Sequence, residues 1–421
     1  MSRSLTVHLP AFQRYDCQNC TYGCRKLLVL ITRAERDRIL KAGWADRLPG
    51  LRLFYRYKRF ARRPFMLAHR PDGACVFLAD NKLCRLHAET GLETKPLPCR
   101  LYPFVPTPAI DGVRMDLRCD CLAVAYNKGR SLSVHARDIA QMVADLRIGP
   151  LLAAPAWRGM LRLSGREFAA VVEAFVRLVR PSSLDHRSRL RAGCLLLETL
   201  YELRPAKVRG ERFAELMTLL ANGAAMEAAE QARPAQELPN RVERMFGQWL
   251  FLHALAEDPQ LARAGPIAKL ARSWRRYGQS RVFARGRGAV PRVQDDWPAV
   301  TFEQLLAVRP APDEALEPVC RFIQLKLDAH AFAGPSYYDH NVIHGLTALW
   351  LFPAIAGWLA RLRAAGAGRD AMNAEDVTEG MRAAAATFGL SPVFNRLSER
   401  LRLRTFAQPG VLTGLLQRYG A

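Results

Sequence analysis

Hydrophobic and polar positions are spaced differently in the two parts of this chain of 421 residues. From about Ser131 onward, apolar residues recur three and four apart in long runs such as SGREFAAVVEAFVRLV and RLRAGCLLLETLYEL, and glycine or proline separates the runs. This spacing gathers the apolar side chains on one face of a helix. It predicts an all-helical domain over residues 131–421, with an internal loop near 286–298.

Residues 1–130 lack these long runs. LRLFYRYKRF is rich in aromatic residues and favours a strand, and PFMLAHRPDGACVFLA is typical of a hairpin that turns at Pro71-Asp72-Gly73. Cys84 to Thr90 indicates a short helix that ends at Gly91. The pattern therefore predicts an α+β fold that is mostly α, in which a small irregular domain with short strands precedes the helical domain.

One apolar stretch, Asn341 to Ala360, has the length of a membrane span, which takes roughly 20 residues. It carries His344 and has Pro353 in its middle, which favours a buried core helix that is kinked or broken near the proline. No membrane span is therefore expected. The opening residues show no apolar signal-peptide core, so we expect a cytoplasmic protein whose thiols stay reduced.

Cysteines are concentrated in the first part of the chain, where eight of the ten lie between Cys17 and Cys121. Packing alone rarely concentrates thiols in this way, and in a reducing cytosol metal binding explains them better than disulfides do. The predicted ligands are Cys17, Cys20, Cys24, Cys75, Cys84, Cys99, Cys119 and Cys121. They make residues 1–130 a cysteine-rich metal-binding domain.

The thiolate is a soft anionic ligand that suits zinc or an iron–sulfur cluster, whereas Mg²⁺ and Ca²⁺ prefer oxygen. Zinc takes four ligands per structural site, and a [4Fe–4S] cluster also takes four cysteines. The cysteine spacing matches neither the paired CxxC knuckles of zinc ribbons nor the ferredoxin run. The sequence therefore predicts a metal- or iron–sulfur-binding protein and leaves iron and zinc open.

The segments CVFL at Cys75, CRLH at Cys84 and KPLPCRLYPF around Cys99 resemble the signature of a cysteine-cluster family of zinc- or iron-chelating proteins. That family includes the flagellin lysine N-methylases. The resemblance covers roughly residues 12–125. It implies a bound iron–sulfur cluster or zinc and, for a subset of members, methylation of protein lysines with S-adenosylmethionine.

The family's usual first cluster is Cys-x2-Cys-x2-Cys-Cys. Cys17, Cys20 and Cys24 fit this pattern here, and Gly23 occupies the third cysteine place. The chain shows no strand–GxGxG–helix fingerprint of a nucleotide-binding methyltransferase and no Cys-x3-Cys-x2-Cys run. Whether the protein is an enzyme therefore stays open, and a protein-lysine N-methyltransferase is the enzymatic interpretation.

Two residues beside the cysteines are further candidates. His87 follows Cys84 by three residues and could be a ligand, or it could orient its neighbours. Arg100 follows Cys99 directly and is the candidate cofactor-binding residue, because a guanidinium can donate to a cluster sulfide or to a substrate carboxylate. A structural salt bridge is the alternative role for Arg100.

The segment GPSYYDHNVIHG, in the helical region, supplies the candidate catalytic residues Tyr338, Asp339 and His340. If Asp339 or Asn341 caps a helix, His340 and His344 lie four apart on one face, a spacing that can bind metal. The alternative is a helix start packed into the core with hydrogen-bonded histidines. For a methylase, we expect a cleft between the two domains with Tyr338, Asp339 and His340 on one wall.

The net charge of +23 favours acidic partners, although an arginine-rich genome would give the same bias. Residues 1–130 carry more than half of the excess, with 24 Lys and Arg against 11 Asp and Glu. Two basic stretches with interleaved aromatic residues, at 54–63 and 259–294, suit single-stranded RNA or an acidic protein. The competing hypotheses are thus a metal-dependent enzyme acting on a protein substrate and a non-enzymatic zinc-stabilised module that binds RNA or an acidic protein.

Overall fold

The computed structural model describes residues 6–57, 61–146, 148–159, 161–230, 237–255, 265–293 and 297–420. Helices make up most of this described part. They are α1 (Tyr22–Lys26), α2 (Arg33–Lys41), α3 (Trp44–Arg47), α4 (Arg85–Thr90), α5 (Leu97–Leu101), α6 (Leu122–Ala125), α7 (Ala136–Leu146), α8 (Gly165–Val179), α9 (His186–Glu202), α10 (Glu211–Ala229), α11 (Asn240–Ala254), α12 (Pro266–Arg285), α13 (Phe302–Ala307), α14 (Glu317–Asp328), α15 (Val342–Gly366), α16 (Ala374–Ala385), α17 (Leu397–Phe406) and α18 (Val411–Tyr419).

The strands are short and lie mostly before α7. They are β1 (Val7–His8), β2 (Arg14–Tyr15), β3 (Leu30–Ile31), β4 (Phe54–Arg56), β5 (Phe65–Leu67), β6 (Phe104–Ala109), β7 (Gly112–Leu117), β8 (Arg130–Ser131), β9 (Ala156–Arg158) and β10 (Leu161–Arg162). The sheet orders are β1-β7-β6, β3-β5-β4, β2-β8 and β10-β9. β1 pairs with β7 in parallel, and the other pairs are antiparallel. The fold class is therefore α+β and mostly α, as predicted.

Local sequence signals account for several of these elements. Gly73 N donates to Arg70 O at 3.0 Å, which closes the predicted turn at residues 71–73. The second arm of the predicted hairpin, however, forms one isolated bridge between His69 and Cys75 rather than a strand. Helix α4 ends before Gly91, whose φ of 86° is a conformation that glycine adopts without strain. Residues 286–293 and 297–298 of the predicted loop lie outside helices, and 294–296 lie outside the described residues.

Two hydrophobic cores divide the described chain. The small core contains buried side chains from α2, α3, α4 and the β3-β5-β4 sheet, among them Ile39, Trp44 and Phe77. The large core joins α8–α11 and α14–α18 with β6, β7 and α6. The domain boundary at residue 130 stays a prediction. By packing, the segment from Phe104 onward already belongs with the helices.

Helix α15 lies at the centre of the large core and packs against α9, α16 and α18. By length and composition it is the one described helix that could cross a membrane, and the whole of its apolar window is buried inside the protein. The helix runs without a break through Pro353, although a proline removes a helical hydrogen bond. Because its side chains are buried on every side, tertiary packing outweighs the local preference to break there.

Helix α14 ties the cysteine-rich segment to the helices through buried polar contacts. Arg321 Nη1 donates to Val124 O at 2.7 Å and to Gln13 Oε1 at 3.1 Å. Five residues further on, Lys326 Nζ lies 2.6 Å from Asp116 Oδ2 on β7, and both residues are buried. A buried charge is tolerated when it is paired and hydrogen-bonded, so the Lys326–Asp116 pair holds β7 against α14.

Candidate metal centre

Four of the predicted ligands come together beside the small core, and we call Cys24, Cys75, Cys84 and Cys99 the four-thiol group. Short elements carry them: Cys24 lies in α1, Cys84 caps the start of α4, and Cys99 lies in α5. Cys75 follows the turn at residues 71–73. Cys75, Cys84 and Cys99 pack against the small core.

Backbone hydrogen bonds bring the four-thiol group together from distant parts of the chain. Cys75 N donates to Cys24 O at 2.7 Å, and Leu78 N donates to Cys75 O at 2.9 Å. Leu78 in turn forms a β-bridge with Cys84. The main chain thus holds three of the four cysteines in one connected arrangement.

Glu35 of α2 positions the turn that carries Cys99. Its buried carboxylate accepts hydrogen bonds from Leu97 N at 2.8 Å and from Thr32 N at 2.7 Å. It also pairs with Arg63 at 3.0 Å. Burial alone would raise the pKa of Glu35, but the hydrogen bonds from Thr32 and Leu97 outweigh it and lower the pKa. Glu35 therefore stays ionised and holds the segment before Cys99 in place.

The thiols of this group influence one another's ionisation. Burial raises the pKa of Cys75 to about 12, and the neighbouring Cys24 and Cys84 thiolates add to the effect. Burial, followed by the charge of Cys75, raises the pKa of Cys99 well above its ordinary value. Lys95 acts in the opposite direction on Cys24 and Cys99. A metal ion would supply the positive charge that four converging thiolates lack.

Cys17, Cys20 and Cys121 form a second set, the three-thiol group, around Tyr15. Burial raises the pKa of the Tyr15 hydroxyl, and the charges of all three thiols raise it further. Cys17 and Cys20 are exposed and Cys121 is buried. Cys24 also lies within the electrostatic influence of Cys17 and Cys20. The two groups are therefore neighbours, joined through α1.

Cys119 points away from both groups. Its thiol is buried, and the charges that act on it come from Lys326, Asp116, Arg321 and Asp120. Its Sγ lies 3.8 Å from Leu117 O, within its own segment. Seven of the eight predicted ligands are thus placed among other thiols, and Cys119 is placed in the interface with α14.

Arg100 and His87 differ in their surroundings. Arg100 lies 3.7 Å from Asp145 of α7, a long salt bridge. Its Nε is buried and has no hydrogen-bond partner within the described residues. An unsatisfied buried donor next to Cys99 fits an acceptor such as a thiolate or a cluster sulfide. His87 is exposed on α4.

The donor set fits a thiolate-ligated metal centre. Within the described parts of the chain, however, no three His, Cys, Asp or Glu side chains converge closely enough to hold a metal ion as they stand. Binding would therefore have to draw the thiols together. Coupling of this kind between metal binding and local folding is common in small cysteine-rich domains.

Gly23, which stands at the third cysteine place of the family pattern, lies against Tyr102. A Cβ at this position would lie 3.3 Å from Cε1 of Tyr102, a tight contact. A cysteine here would therefore require the Tyr102 ring to shift by a few tenths of an ångström. Tyr102 Oη in turn donates to Asp120 Oδ1 at 3.5 Å, in the segment between Cys119 and Cys121.

A cavity of about 580 Å³ lies beside α1, between it and helices α15 and α16. Tyr22, Lys26 and Leu27 form the wall nearest to Cys24. The charged side chains that line it are Lys26, Arg118, Arg363, Arg369, Arg382 and Glu379. Five of these six side chains are cationic, and the four arginines among them are ion-paired: Arg118 with Asp120, Arg363 and Arg369 with Asp376, and Arg382 with Glu379. Apolar lining from Leu359, Leu362 and Trp297 completes a site suited to a ligand with both anionic and apolar parts.

Arg382 connects this cavity to the cysteine-rich segment. Its guanidinium lies 5.4 Å from the centre of the Tyr22 ring. It donates to Asp120 O at 3.2 Å and pairs with Glu379 at 2.6 Å. Burial lowers the pKa of Arg382, but its contacts with Glu379 and the charge of Cys20 raise it. The net effect is a raised pKa. Sequence reasoning missed this residue because an arginine in an amphipathic helix carries no distinguishing signal.

The predicted catalytic residues Tyr338, Asp339 and His340 do not line this cavity. Asn341 caps α15, so His340 precedes the helix and does not share a helical face with His344. His340 Nε2 lies 3.3 Å from Phe394 O, and burial lowers the pKa of both histidines to about 4. At the start of α15, Tyr338 is half-buried, Asp339 is exposed and His340 is buried. Their catalytic role stays a prediction.

The two predicted basic stretches are placed in part. Lys58, Arg59 and Phe60 of the first stretch lie outside the described residues, as do residues 259–264 and Gln294 of the second. Helix α12 makes up most of the second stretch. Its Trp274 and Tyr277 are exposed, whereas Phe283 is buried in the large core and so is not available for stacking on a base.

Comparison with known proteins supports the chemistry of the cysteine-rich segment. A family model named CxxCxxCC and described as "Putative zinc- or iron-chelating domain" matches residues 16–123, about a quarter of the chain. No curated protein and no solved structure matches the chain. The matched range contains both thiol groups and Cys119. Residues 16–123 are therefore a domain of the cysteine-cluster family of zinc- or iron-chelating proteins.

Proposed function

We propose that the four-thiol group binds one metal centre, a [4Fe–4S] cluster, and that the protein uses the adjacent cavity to methylate a protein lysine with S-adenosylmethionine. The observation that carries this proposal is the position of α1. Cys24 on this helix belongs to the four-thiol group, while Tyr22 and Lys26 of the same helix line the cavity. When bound, the metal centre would fix α1 and with it one wall of the cavity.

The cavity offers what each methyl-transfer substrate requires. The α-carboxylate of S-adenosylmethionine would bind the cationic side chains, and the apolar lining would hold its adenosyl part. Surrounding cations lower the pKa of a lysine amine, so a substrate lysine here would lose its proton more readily. The proton would pass to solvent. The neutral Nζ could then take the methyl group of the sulfonium as the carbon–sulfur bond breaks, which would give a methylated ammonium and S-adenosylhomocysteine.

His253 lines the same cavity but is a poor base. Burial lowers the pKa of His253 to about 3, and its Nδ1 lies 2.9 Å from Thr387 Oγ1. The imidazole is therefore neutral at physiological pH and is engaged by Thr387. Its role in our proposal is to shape the cavity rather than to accept the lysine proton.

Anaerobic purification of the full chain, followed by metal analysis and a visible spectrum, tests the metal centre. We expect a brown protein with about four irons and four acid-labile sulfides per chain. Zinc without colour would contradict the iron–sulfur assignment. Thiols found paired with one another, with neither metal present, would contradict metal binding as a whole.

Binding of S-adenosylmethionine, measured by calorimetry on the metal-loaded protein, tests the cavity. Replacing Lys26 with alanine should weaken binding about tenfold, because a charge-assisted contact to the carboxylate is lost. Lys41→Ala is the matched control, since Lys41 is exposed at the end of α2 and does not line the cavity. Equal affinity in both variants would place the cofactor elsewhere.

A second candidate function has one observation in its favour. Cys75, Cys84 and Cys99 pack against the small core, which is where a structural zinc would hold α4 and α5 onto the β3-β5-β4 sheet. In this alternative the protein is a non-enzymatic, cytoplasmic module, and its basic surface binds RNA or an acidic protein. One zinc per chain together with no binding of S-adenosylmethionine would favour it.

A further inference from the structure

Helix α12 exposes an apolar stripe that the proposed activity does not use. Ile267, Leu270, Trp274 and Tyr277 are 84%, 61%, 69% and 58% exposed. Their spacing of three, four and three residues places them on one face of the helix. Large apolar side chains grouped in this way usually mark a binding surface.

The charges on α12 are all of one sign. It contains six Lys and Arg and no Asp or Glu. Lys269, Arg275 and Arg281 are exposed beside the stripe, and the Arg281 guanidinium lies 5.9 Å from the centre of the Tyr277 ring. A net charge of +23 argues against a second copy of the chain as the occupant, because like charges repel.

The helix is anchored at its C-terminal end. Phe283 is buried and packs against Phe251, Phe302 and Trp358, and a Cβ at Gly247 would collide with Phe283 O at 2.2 Å. The missing side chain at Gly247 therefore lets α11 and α12 approach closely. The stripe lies in the N-terminal three turns, beyond this anchor.

We propose that the N-terminal half of α12 docks on an anionic lipid surface. Apolar side chains, interfacial aromatics and flanking cations on one helix are the combination that holds a helix in the headgroup region of a bilayer. Ile267 and Leu270 favour lipid over RNA as the partner. Aliphatic side chains interact weakly with bases and phosphates, whereas their transfer from water into lipid is favourable. Each flanking cation adds attraction to anionic headgroups.

Co-sedimentation of the full-length protein with vesicles tests this proposal. We expect binding to phosphatidylcholine vesicles that contain about 30% phosphatidylglycerol, weak binding to phosphatidylcholine alone, and loss of binding as salt rises. The triple variant I267S/L270S/W274S should bind these vesicles at least about tenfold more weakly than the parent, because it lacks these apolar contacts. Circular dichroism checks that it folds, as expected for exposed positions.

The matched control is L219S/M226S on α10. Leu219 and Met226 are 67% and 73% exposed and lie on a helix that carries Glu211, Glu215 and Glu227. This variant should bind vesicles as the parent does. Equal vesicle binding by parent and triple variant would overturn the proposal. So would the absence of vesicle binding in a protein whose α12 binds a single-stranded RNA oligonucleotide.

Discussion

Replacing Cys75 with alanine is expected to abolish metal retention, with metal content at least about tenfold below that of the parent. Changes that merely disturb the partners of a ligand already cost ten- to a hundredfold in affinity, and removal of a ligand costs more. Cys75 is the best choice because its N–H donates to Cys24 O, Cys24 acts on its thiol, and its thiol acts on Cys99. Metal per chain and hydrogen exchange over residues 24–99 are the measurements, since metal binding and local folding are coupled.

Cys119→Ala is the control that makes this result specific. Burial raises the pKa of both thiols to about 12, and each substitution removes one thiol, half-buried at Cys75 and buried at Cys119. The Cys119 thiol faces Lys326 and Asp116 rather than other cysteines, and this variant should keep its metal. If a folded Cys119→Ala protein lost metal as completely as Cys75→Ala, the division into two thiol groups would be wrong.

The sequence predicts local structure well where the signal is local. Helices α8 to α11 follow the spacing of apolar residues, because that spacing alone decides which face is buried. The turn at residues 71–73 and the end of α4 at Gly91 depend on residues that act on their own backbone. Helix α15 runs through Pro353 because the surrounding core outweighs a local preference, which a local pattern does not contain.

The grouping of the cysteines depends on long-range contacts and could not be predicted from spacing. Cys119 and Cys121 are two residues apart, yet one faces α14 and the other faces Cys20. The decisive contacts, such as Cys75 N to Cys24 O, join residues about fifty positions apart. The sequence could therefore identify the eight thiols as metal-binding candidates but could not predict which four lie together.

Which candidate residues line the cavity could not be predicted, for a similar reason. The sequence indicates Tyr338, Asp339 and His340 as candidates because polar and aromatic residues are adjacent there. Three of the four arginines that line the cavity, Arg363, Arg369 and Arg382, lie singly in α15, just beyond it and in α16. They meet only because α15 and α16 pack together beside α1.

Replacing Lys326 with methionine is expected to lower the free energy of unfolding by about 3–5 kcal/mol, the usual effect of removing one partner of a buried ion pair. Lys326 Nζ donates to Asp116 Oδ1 at 2.8 Å, to Asp116 Oδ2 at 2.6 Å and to Leu117 O at 3.3 Å. Methionine fills a similar volume but leaves the Asp116 carboxylate buried without its cation. Chemical denaturation of the full-length protein measures the change.

Two further variants separate the missing charge from a packing defect. The double variant K326M/D116L removes both charges and should recover most of the lost stability, because an apolar pair of similar size can replace a buried ion pair. Arg309→Met breaks the exposed Arg309–Asp370 pair and should leave the unfolding free energy nearly unchanged. A double variant as unstable as Lys326→Met would point to packing rather than charge.

The stability of Lys326→Met should also depend on pH, in a direction set by the Asp116 carboxyl. Burial raises the pKa of Asp116 above its ordinary 3.8, even though Lys326 acts to lower it. Without Lys326 this pKa rises further, so the folded variant holds a proton that the unfolded chain has released. A carboxyl whose pKa is higher in the folded protein than in the unfolded chain stabilises the folded protein at low pH. This stabilisation is lost as the pH rises from the unfolded-state pKa through the folded-state pKa. Lys326→Met should therefore be less destabilised at pH near 5 than at pH near 8, and an equal loss at both would show that the Asp116 carboxylate is not what the lysine stabilises.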